Sequence, residues 1–363
     1  MAGRYLVGLI GAGIGTSLSP SLHEREADDQ GLRYLYQLID ITPLSVSPVD
    51  VGELVTAAQR LGFRGLNVTH PCKQEVVKYL DDLSPEAAEL GAVNTIVFAD
   101  GRSTGHNTDR YGFAESFRRG LPTAATARVV LIGAGGAGTA VAYALRDLGA
   151  SHLTIVDADA ARAHKLAESL GPSAQSAIPD DLGALLADAD GLVNATPVGM
   201  ESQEGLPVPI RELRREMWVA DVIYRPLETE LVRAARELGC RTLDGGGMVV
   251  HQAAEAFRLF TGHSPDVERM LRHFANLTEG SPAGLGPAGV GSAGDGPAEM
   301  SQAGDGPAER NLAGGGPAEG SLAGGGPAEG SLAEGGPAGS GTAGSGPGGG
   351  GPAASGPIGG PGA

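Results

Sequence analysis

Short apolar runs alternate with amphipathic stretches through most of the chain. Residues 5–10 (Tyr-Leu-Val-Gly-Leu-Ile) predict a buried strand and residues 34–40 a second one. Residues 51–61 carry apolar positions at helical spacing and stop at Gly62, as an amphipathic helix does. Residues 63–69 form a short strand that runs into a polar turn ending at Lys73. Pro71 cannot extend that strand and suits the start of a helix, so short helices are expected over 73–80 and 85–90. A strand follows up to Phe98, Asp100-Gly101 marks a hairpin turn, and a helix is expected from about 111 to 119. This β, α, β, α alternation predicts an α/β domain with a mostly parallel sheet.

The pattern sharpens at residues 129–138, where Val-Val-Leu-Ile runs into Gly133-Ala-Gly-Gly-Ala-Gly138. A helical run over 139–148 follows at once and is closed by Gly149. Strand, G-x-G-x-x-G and helix in that order are what a dinucleotide-binding unit requires. Gly133 makes the tight turn, Gly135 admits a pyrophosphate and Gly138 lets helix and strand pack closely. Ala134, Gly136 and Ala137 complete the cradle, with the helix N-terminus facing the phosphates. Further strands are expected at 152–156, at 190–197 with a break at Pro197, and at 218–224. Helices are expected at 229–238, 248–260 and 267–277. An earlier glycine group, Gly11-Ala-Gly13-Ile-Gly15, is a poor nucleotide loop. Its third glycine is replaced by Thr16, and no helix starts there.

Composition changes this picture at one end. Beyond Thr278 no aromatic residue occurs, and from Ala283 a ten-residue Gly/Pro/Ala repeat runs on (AGDGPAERNL, AGGGPAEGSL). Such a segment cannot bury enough apolar surface to offset its ordering entropy, so disorder is expected. The formal charge is −17, of which eight acids and one base in this tail account for −7. An acidic chain without a basic run argues against nucleic acid as a partner. No apolar run is long enough for a membrane span, and the first residues lack a signal-peptide pattern. Two cysteines, Cys72 and Cys240, fit a reducing cytoplasm rather than a disulfide framework. The eight histidines show no metal-ligand spacing, so no metal is expected.

Candidate chemistry lies at strand ends and turns. Ser19 and Pro20 have the types of an N-cap and a first helical residue. Ser17 and Ser19 therefore either hold a small carboxylate at a helix N-terminus or simply cap the helix. A nicotinamide cofactor moves a hydride, so the protein must move a proton. Lys73, Asp109, His106 and Tyr224 stand where a side chain can do so. Read singly, Lys73 is equally a surface lysine at a helix start and Asp109 a helix cap. Asp157 lies 19 positions beyond Gly138, where a dinucleotide fold places the acid that faces the adenosine ribose. A carboxylate there repels a 2′-phosphate by a few kcal/mol, roughly, per close charge pair, so NAD is expected rather than NADP. Arg162, five residues on, is the one basic group that challenges this.

Taken together, these segments resemble the shikimate and quinate dehydrogenase family. The matching pieces are Ser17-Leu-Ser19-Pro-Ser-Leu-His23, Asn67-Val-Thr69-His-Pro-Cys-Lys73, Gly91-Ala-Val-Asn94-Thr95, Asn107-Thr-Asp109, the glycine turn, Asn194-Ala-Thr-Pro197, Asp221-Val-Ile-Tyr224 and His251-Gln252-Ala253. They stand in family order over residues 5–277. The resemblance implies an α/β fold of two domains with an active site in the cleft. Residues 1–108 would be the substrate-binding domain, completed by helices over 248–277. Residues 109–247 would be a Rossmann-like NAD-binding domain, and the tail over 278–363 lies outside. Lys73 and Asp109 would be the catalytic pair. Ser17, Ser19, Thr69, Asn94, Tyr224 and Gln252 would join them in binding a small hydroxycyclohexene or cyclohexane carboxylate. Thr196, Pro197, Val222 and Gly245 would line the cofactor site with the glycine turn, Asp157 and Arg162. Asp157 with Arg162, and Glu24, His70 and Cys72, resemble the NAD-using actinobacterial branch. Quinate-preferring members tend to carry Thr at the position of Ser19, which leans toward shikimate and leaves quinate open, since one methyl group discriminates by only about 1–3 kcal/mol. A methylenetetrahydrofolate-dehydrogenase-like enzyme and a non-catalytic sensor on the same fold are the rival readings. The oligomeric state stays open between monomer and homodimer.

Overall fold

The computed structural model describes residues 3–279; of the expected disordered tail, residues 278–279 end the last helix and the rest lies outside the described residues. Two six-stranded sheets organise the chain. The first holds β1 (Arg4–Gly11), β2 (Arg33–Asp40), β3 (Gly65–Val68), β4 (Asp82–Leu83), β5 (Thr95–Ala99) and β6 (Arg102–His106), in the order β2-β1-β3-β5-β6-β4. Helices α1 (Ser19–Asp29), α2 (Val51–Arg60) and α3 (Pro85–Leu90) connect these strands, and α4 (Thr108–Gly120) leaves them. The second sheet holds β7 (Arg128–Ile132), β8 (His152–Val156), β9 (Ala174–Ala177), β10 (Gly191–Asn194), β11 (Trp218–Asp221) and β12 (Arg241–Leu243), in the order β12-β11-β10-β7-β8-β9. Its helices are α5 (Gly136–Asp147), α6 (Ala160–Leu170), α7 (Leu182–Ala187) and α8 (Glu230–Leu238); α9 (Gly246–Thr261) and α10 (Val267–Glu279) close the chain.

The second sheet is parallel throughout, and its order reverses at β7, the strand that enters the glycine turn. That reversal opens a crevice beyond the strand ends, where α/β sheets bind ligands. The first sheet is mostly parallel, as expected, with β5 alone reversed. β1 pairs in parallel with β2 and β3, but β5 runs antiparallel to both β3 and β6. The cause is local: Asp100 (φ 51°) and Gly101 (φ 76°) both take left-handed backbone, the geometry of a tight hairpin.

Three helix starts also differ from the sequence pattern. α1 already includes Ser19, and its cap position falls on Leu18, which offers no side-chain bond. α4 begins three residues before the expected Tyr111, because the Asn107 side chain caps it. Residues 73–80 yield only a 3-10 helix, Glu75–Tyr79. Residues 158–189, for which the pattern assigned nothing, supply α6, β9 and α7, with Asp159 capping α6.

The core continues through both sheets. Leu131, Ile155, Val193 and Trp218 pack against Val141 and Leu145 of α5 and Phe113 and Phe117 of α4. Ile10, Leu66, Val68 and Ile96 pack on Val51 and Val55 of α2. The other face of the first sheet, Val7, Leu9 and Tyr36, is covered by Ala256 and Phe260 of α9. Among the described residues no helix is long and apolar enough to cross a membrane.

Candidate active site

The ends of β3, β5 and β6 and the start of α4 bring polar side chains to one place. Thr69 follows β3, its N–H bonded to the Ile10 carbonyl at 2.9 Å. The turn continues through a cis His70–Pro71 bond to Lys73. Lys73 Nζ lies 2.6 Å from Asp109 Oδ2, with the two side chains 20% and 10% exposed. Asn94 is buried below the pair. Its Nδ2 donates to Asp109 Oδ1 at 2.9 Å, and its Oδ1 accepts the Thr108 N–H at 2.8 Å. Asp109 stands in the first turn of α4, where a negative charge meets the helix's partial positive end. Both of its oxygens thus have donors, and the lysine is held against an ordered acceptor.

α9 approaches α4 closely enough to add a further group. A Cβ on Gly112 would lie 2.8 Å from the Met248 carbonyl and 2.9 Å from the Gln252 N. That contact sets Gln252 beside the α4 terminus, 3.4 Å from the Thr108 hydroxyl. Ser17 and Ser19, half-buried before and in α1, sit 3.2 Å apart through their hydroxyls. The Ser19 N–H donates to the Ser17 hydroxyl at 3.3 Å, so Ser17 takes the local capping role expected of Ser19. Tyr224, beyond β11, is partly buried against the packing of α1 and α9.

The glycine turn separates two uses of glycine. A Cβ on Gly133 (φ 103°) would meet the Ala195 carbonyl at 2.6 Å, and one on Gly138 would run into the Gly133 carbonyl. A Cβ on Gly135 would meet nothing within 4 Å. Packing therefore demands the outer two, while Gly135 presents bare backbone to open space at the N-terminus of α5, as a pyrophosphate needs. A Cβ on Gly136 would lie 3.9 Å from Lys73 Cδ. The turn and the lysine thus face each other across the cleft.

Asp157 ends β8. Its oxygens accept the Ala134 N–H at 2.7 Å and the Asp159 N–H at 2.8 Å, so the acid also braces the glycine turn. Arg162 lies 3.9 Å from Asp157 and 3.5 Å from Asp159, its charge offset by two carboxylates. On the other side of the glycine turn, Asn194 Oδ1 accepts the Thr196 hydroxyl at 2.7 Å and its N–H at 3.1 Å, which shapes the Thr196–Pro197 loop. Asn194 is held in turn by Asp221 at 3.1 Å. Burial pushes the Asp221 carboxyl up to about 6, against the pull of its bonds to Ile223, Thr229 and Asn194. Gly245 packs beneath Val222, where a Cβ would strike the Val222 and Ile223 carbonyls.

Three participants escaped the sequence pattern. Asn67, Thr95 and Tyr36 are buried polar residues that join this network: the Tyr36 hydroxyl donates to Asn67 Oδ1 at 2.8 Å, and Asn67 Nδ2 donates to the Thr95 hydroxyl at 3.0 Å. An inward-facing Asn on a four-residue strand that is buried throughout was the available signal. Among the described residues no buried side-chain polar atom lacks a partner.

Three family models match parts of the chain. Residues 9–96 match the shikimate dehydrogenase substrate binding domain, residues 115–200 the shikimate / quinate 5-dehydrogenase family, and residues 245–273 the shikimate 5'-dehydrogenase C-terminal domain. A shikimate dehydrogenase (NADP(+)) of Streptomyces avermitilis is 62% identical over 278 residues, spanning 75% of this chain and 96% of the relative. A quinate/shikimate dehydrogenase (NAD(+)) of Corynebacterium glutamicum strain R is 47% identical over 283 residues, spanning 76% of this chain and all of the relative (100%). The solved structure of quinate dehydrogenase from Corynebacterium glutamicum in complex with NAD superposes with a TM-score of 0.71 at 46% identity, covering 76% of this chain and 99% of its own.

Proposed function

The chain belongs to the shikimate and quinate dehydrogenase family, and from that premise we propose that it oxidises shikimate to 3-dehydroshikimate reversibly with NAD. Quinate, giving 3-dehydroquinate, is the second substrate. The observation that carries this reading is the 2.6 Å Lys73–Asp109 pair set against the glycine turn. A nicotinamide cofactor, which the glycine turn would hold, would supply the hydride acceptor for the carbinol carbon. Lys73 takes the proton of the same hydroxyl, and Asp109 and Asn94 hold that lysine and the ring hydroxyls in place. General acid–base work by such a group contributes about 10²–10⁴-fold. Ser17 and Ser19 hold the substrate carboxylate near the N-terminus of α1, and Thr69, Tyr224 and Gln252 complete the ring contacts.

The preference for NAD rests on charge. Asp157 and Asp159 flank Arg162 at 3.9 and 3.5 Å, and carboxylates just beyond this strand disfavour a 2′-phosphate. Gly133 to Gly138, Thr196, Pro197, Val222 and Gly245 form the rest of that site. We assign residues 1–108 with helices 248–277 to the substrate side and 109–247 to the cofactor side. The two buried free cysteines support a place in the reducing cytoplasm. Family membership removes the folate-enzyme alternative. The deciding experiment follows NAD and NADP reduction with shikimate and quinate, and NADH oxidation with 3-dehydroshikimate. Turnover is expected and should be lost in Lys73→Ala. No turnover with any of the three substrates would leave the sensor reading, and tighter use of NADP would overturn the cofactor assignment.

A further inference from the structure

The polar groups beneath the site form one directed run of hydrogen bonds. It starts on β2, an edge strand of the first sheet. The Tyr36 N–H donates to the Glu24 carboxylate on α1 at 2.8 Å, and the Tyr36 ring packs 4.9 Å from that of His23. The Tyr36 hydroxyl donates to Asn67 Oδ1 at 2.8 Å. Asn67 Nδ2 donates to the Thr95 hydroxyl at 3.0 Å, which donates to Asn94 Oδ1 at 3.0 Å. Asn94 Nδ2 donates to Asp109 Oδ1 at 2.9 Å, and Asp109 Oδ2 receives Lys73. From the Tyr36 hydroxyl to Asp109 Oδ1 every donor points the same way, and the run ends on a carboxylate, which only accepts. Bonds aligned in one sense polarise each other.

We propose that Tyr36 is a positioning residue for the oxidation: its hydroxyl fixes the Asn67 amide and, through Thr95 and Asn94, the carboxylate of Asp109. The inference rests on the roles assigned above to Lys73 and Asp109. The mechanism is one of orientation. An amide has two ends of similar shape, and the phenolic donor, with the Asn94 carbonyl that accepts from Asn67 Nδ2 at 3.3 Å, decides which end of Asn67 faces Thr95. Tyr36 is 5% exposed, Asn67 7%, Asn94 3% and Thr95 0%. Water therefore has little access to replace a missing partner, and an unmade buried bond costs more than a made one gains.

Tyr36→Phe removes one oxygen and keeps the ring. Its kcat with shikimate should fall about tenfold, the size of one buried hydrogen bond, while KM for NAD stays within about twofold. Thr95→Val cuts the same run further along and should show the same split. The double variant should be no slower than the worse single one, because one run is broken twice. Unchanged kcat in Tyr36→Phe overturns the inference, and so do additive losses or a parallel rise in both KM values, which mark general loosening. If the wild type turns over, Lys73→Ala does not, and Tyr36→Phe matches the wild type, the role of Tyr36 alone falls. If the wild type has no activity on either substrate, the functional reading falls and this inference with it.

Discussion

Asn107 and Asp109 share one helix end: the Asn107 side-chain oxygen accepts the Asp109 N–H at 3.2 Å and the Arg110 N–H at 3.4 Å. Its amide nitrogen donates to the Ala92 carbonyl at 3.1 Å, in the turn that leads to Asn94. The residue that starts α4 thus also fixes where the carboxylate stands. Asn107→Ala should cost about 1 kcal/mol of stability, as loss of an N-cap does. It should lower kcat more than it changes KM for NAD. Denaturant unfolding beside steady-state kinetics checks both, and intact kcat would mean that the cap serves the helix alone.

Asp109→Asn keeps the shape of the side chain and removes its charge. Lys73 and Asn94 are then left with one uncharged oxygen between them where each had its own. A fall in kcat of about a hundredfold or more is expected, with KM for NAD little changed, because the glycine turn belongs to another sheet. Initial rates at saturating shikimate and varied NAD measure this. A variant that keeps a fifth or so of wild-type kcat would show that the proton is handled without Asp109.

Asp157→Asn preserves an acceptor for the Ala134 N–H and removes one negative charge. The ratio of kcat/KM for NADP to that for NAD should rise about tenfold or more, from one relieved charge pair. An unchanged ratio would show that this carboxylate braces the turn without facing the ribose.

His23 provides a pH dependence of stability. It is buried among Tyr34, Tyr36, Phe257 and Phe260, and burial holds its imidazole down at about 3, against an ordinary 6.5. Tyr34 and Tyr36 are pushed upward by burial and stay neutral through this range. Below its ordinary value the unfolded chain binds a proton that the folded chain refuses. Stability from this group is therefore complete above about pH 6.5 and lost as pH falls toward 3. Relative to His23→Gln, the wild type should lose about 2 kcal/mol between roughly pH 7.5 and 5. Urea midpoints at several pH values measure this, and parallel curves would sink it.

Much of the site was legible because some residues admit few explanations. Gly133 and Gly138 are required by packing, Asp100-Gly101 by a hairpin, and Pro71 by the end of a strand. Tyr36, Asn67 and Thr95 were not legible for a different reason. They lie far apart in the chain, and only the strand order β2-β1-β3-β5 brings them together. The register sets Asn67 opposite Leu9 on one side and Thr95 on the other, and periodicity within one strand carries no record of its neighbours. Helix starts failed on single polar residues. Ser19, Asn107 and Asp109 are all good capping types, and tertiary contacts decided among them.

The cover that α9 lays on the first sheet has a consequence for how the chain is made. β1 to β6 are finished with His106, yet Ala256 and Phe260, which lie over Val7, Leu9 and Tyr36, are added only after the whole second sheet. During synthesis that apolar face stays bare while β7 to β12 emerge. A nascent chain in this state offers the surface on which chaperones act. The second sheet, with its own helices α5 to α8 built in, is free to close first. Active-site assembly therefore waits for α9, because Gln252 arrives on the same helix that covers the oldest strands.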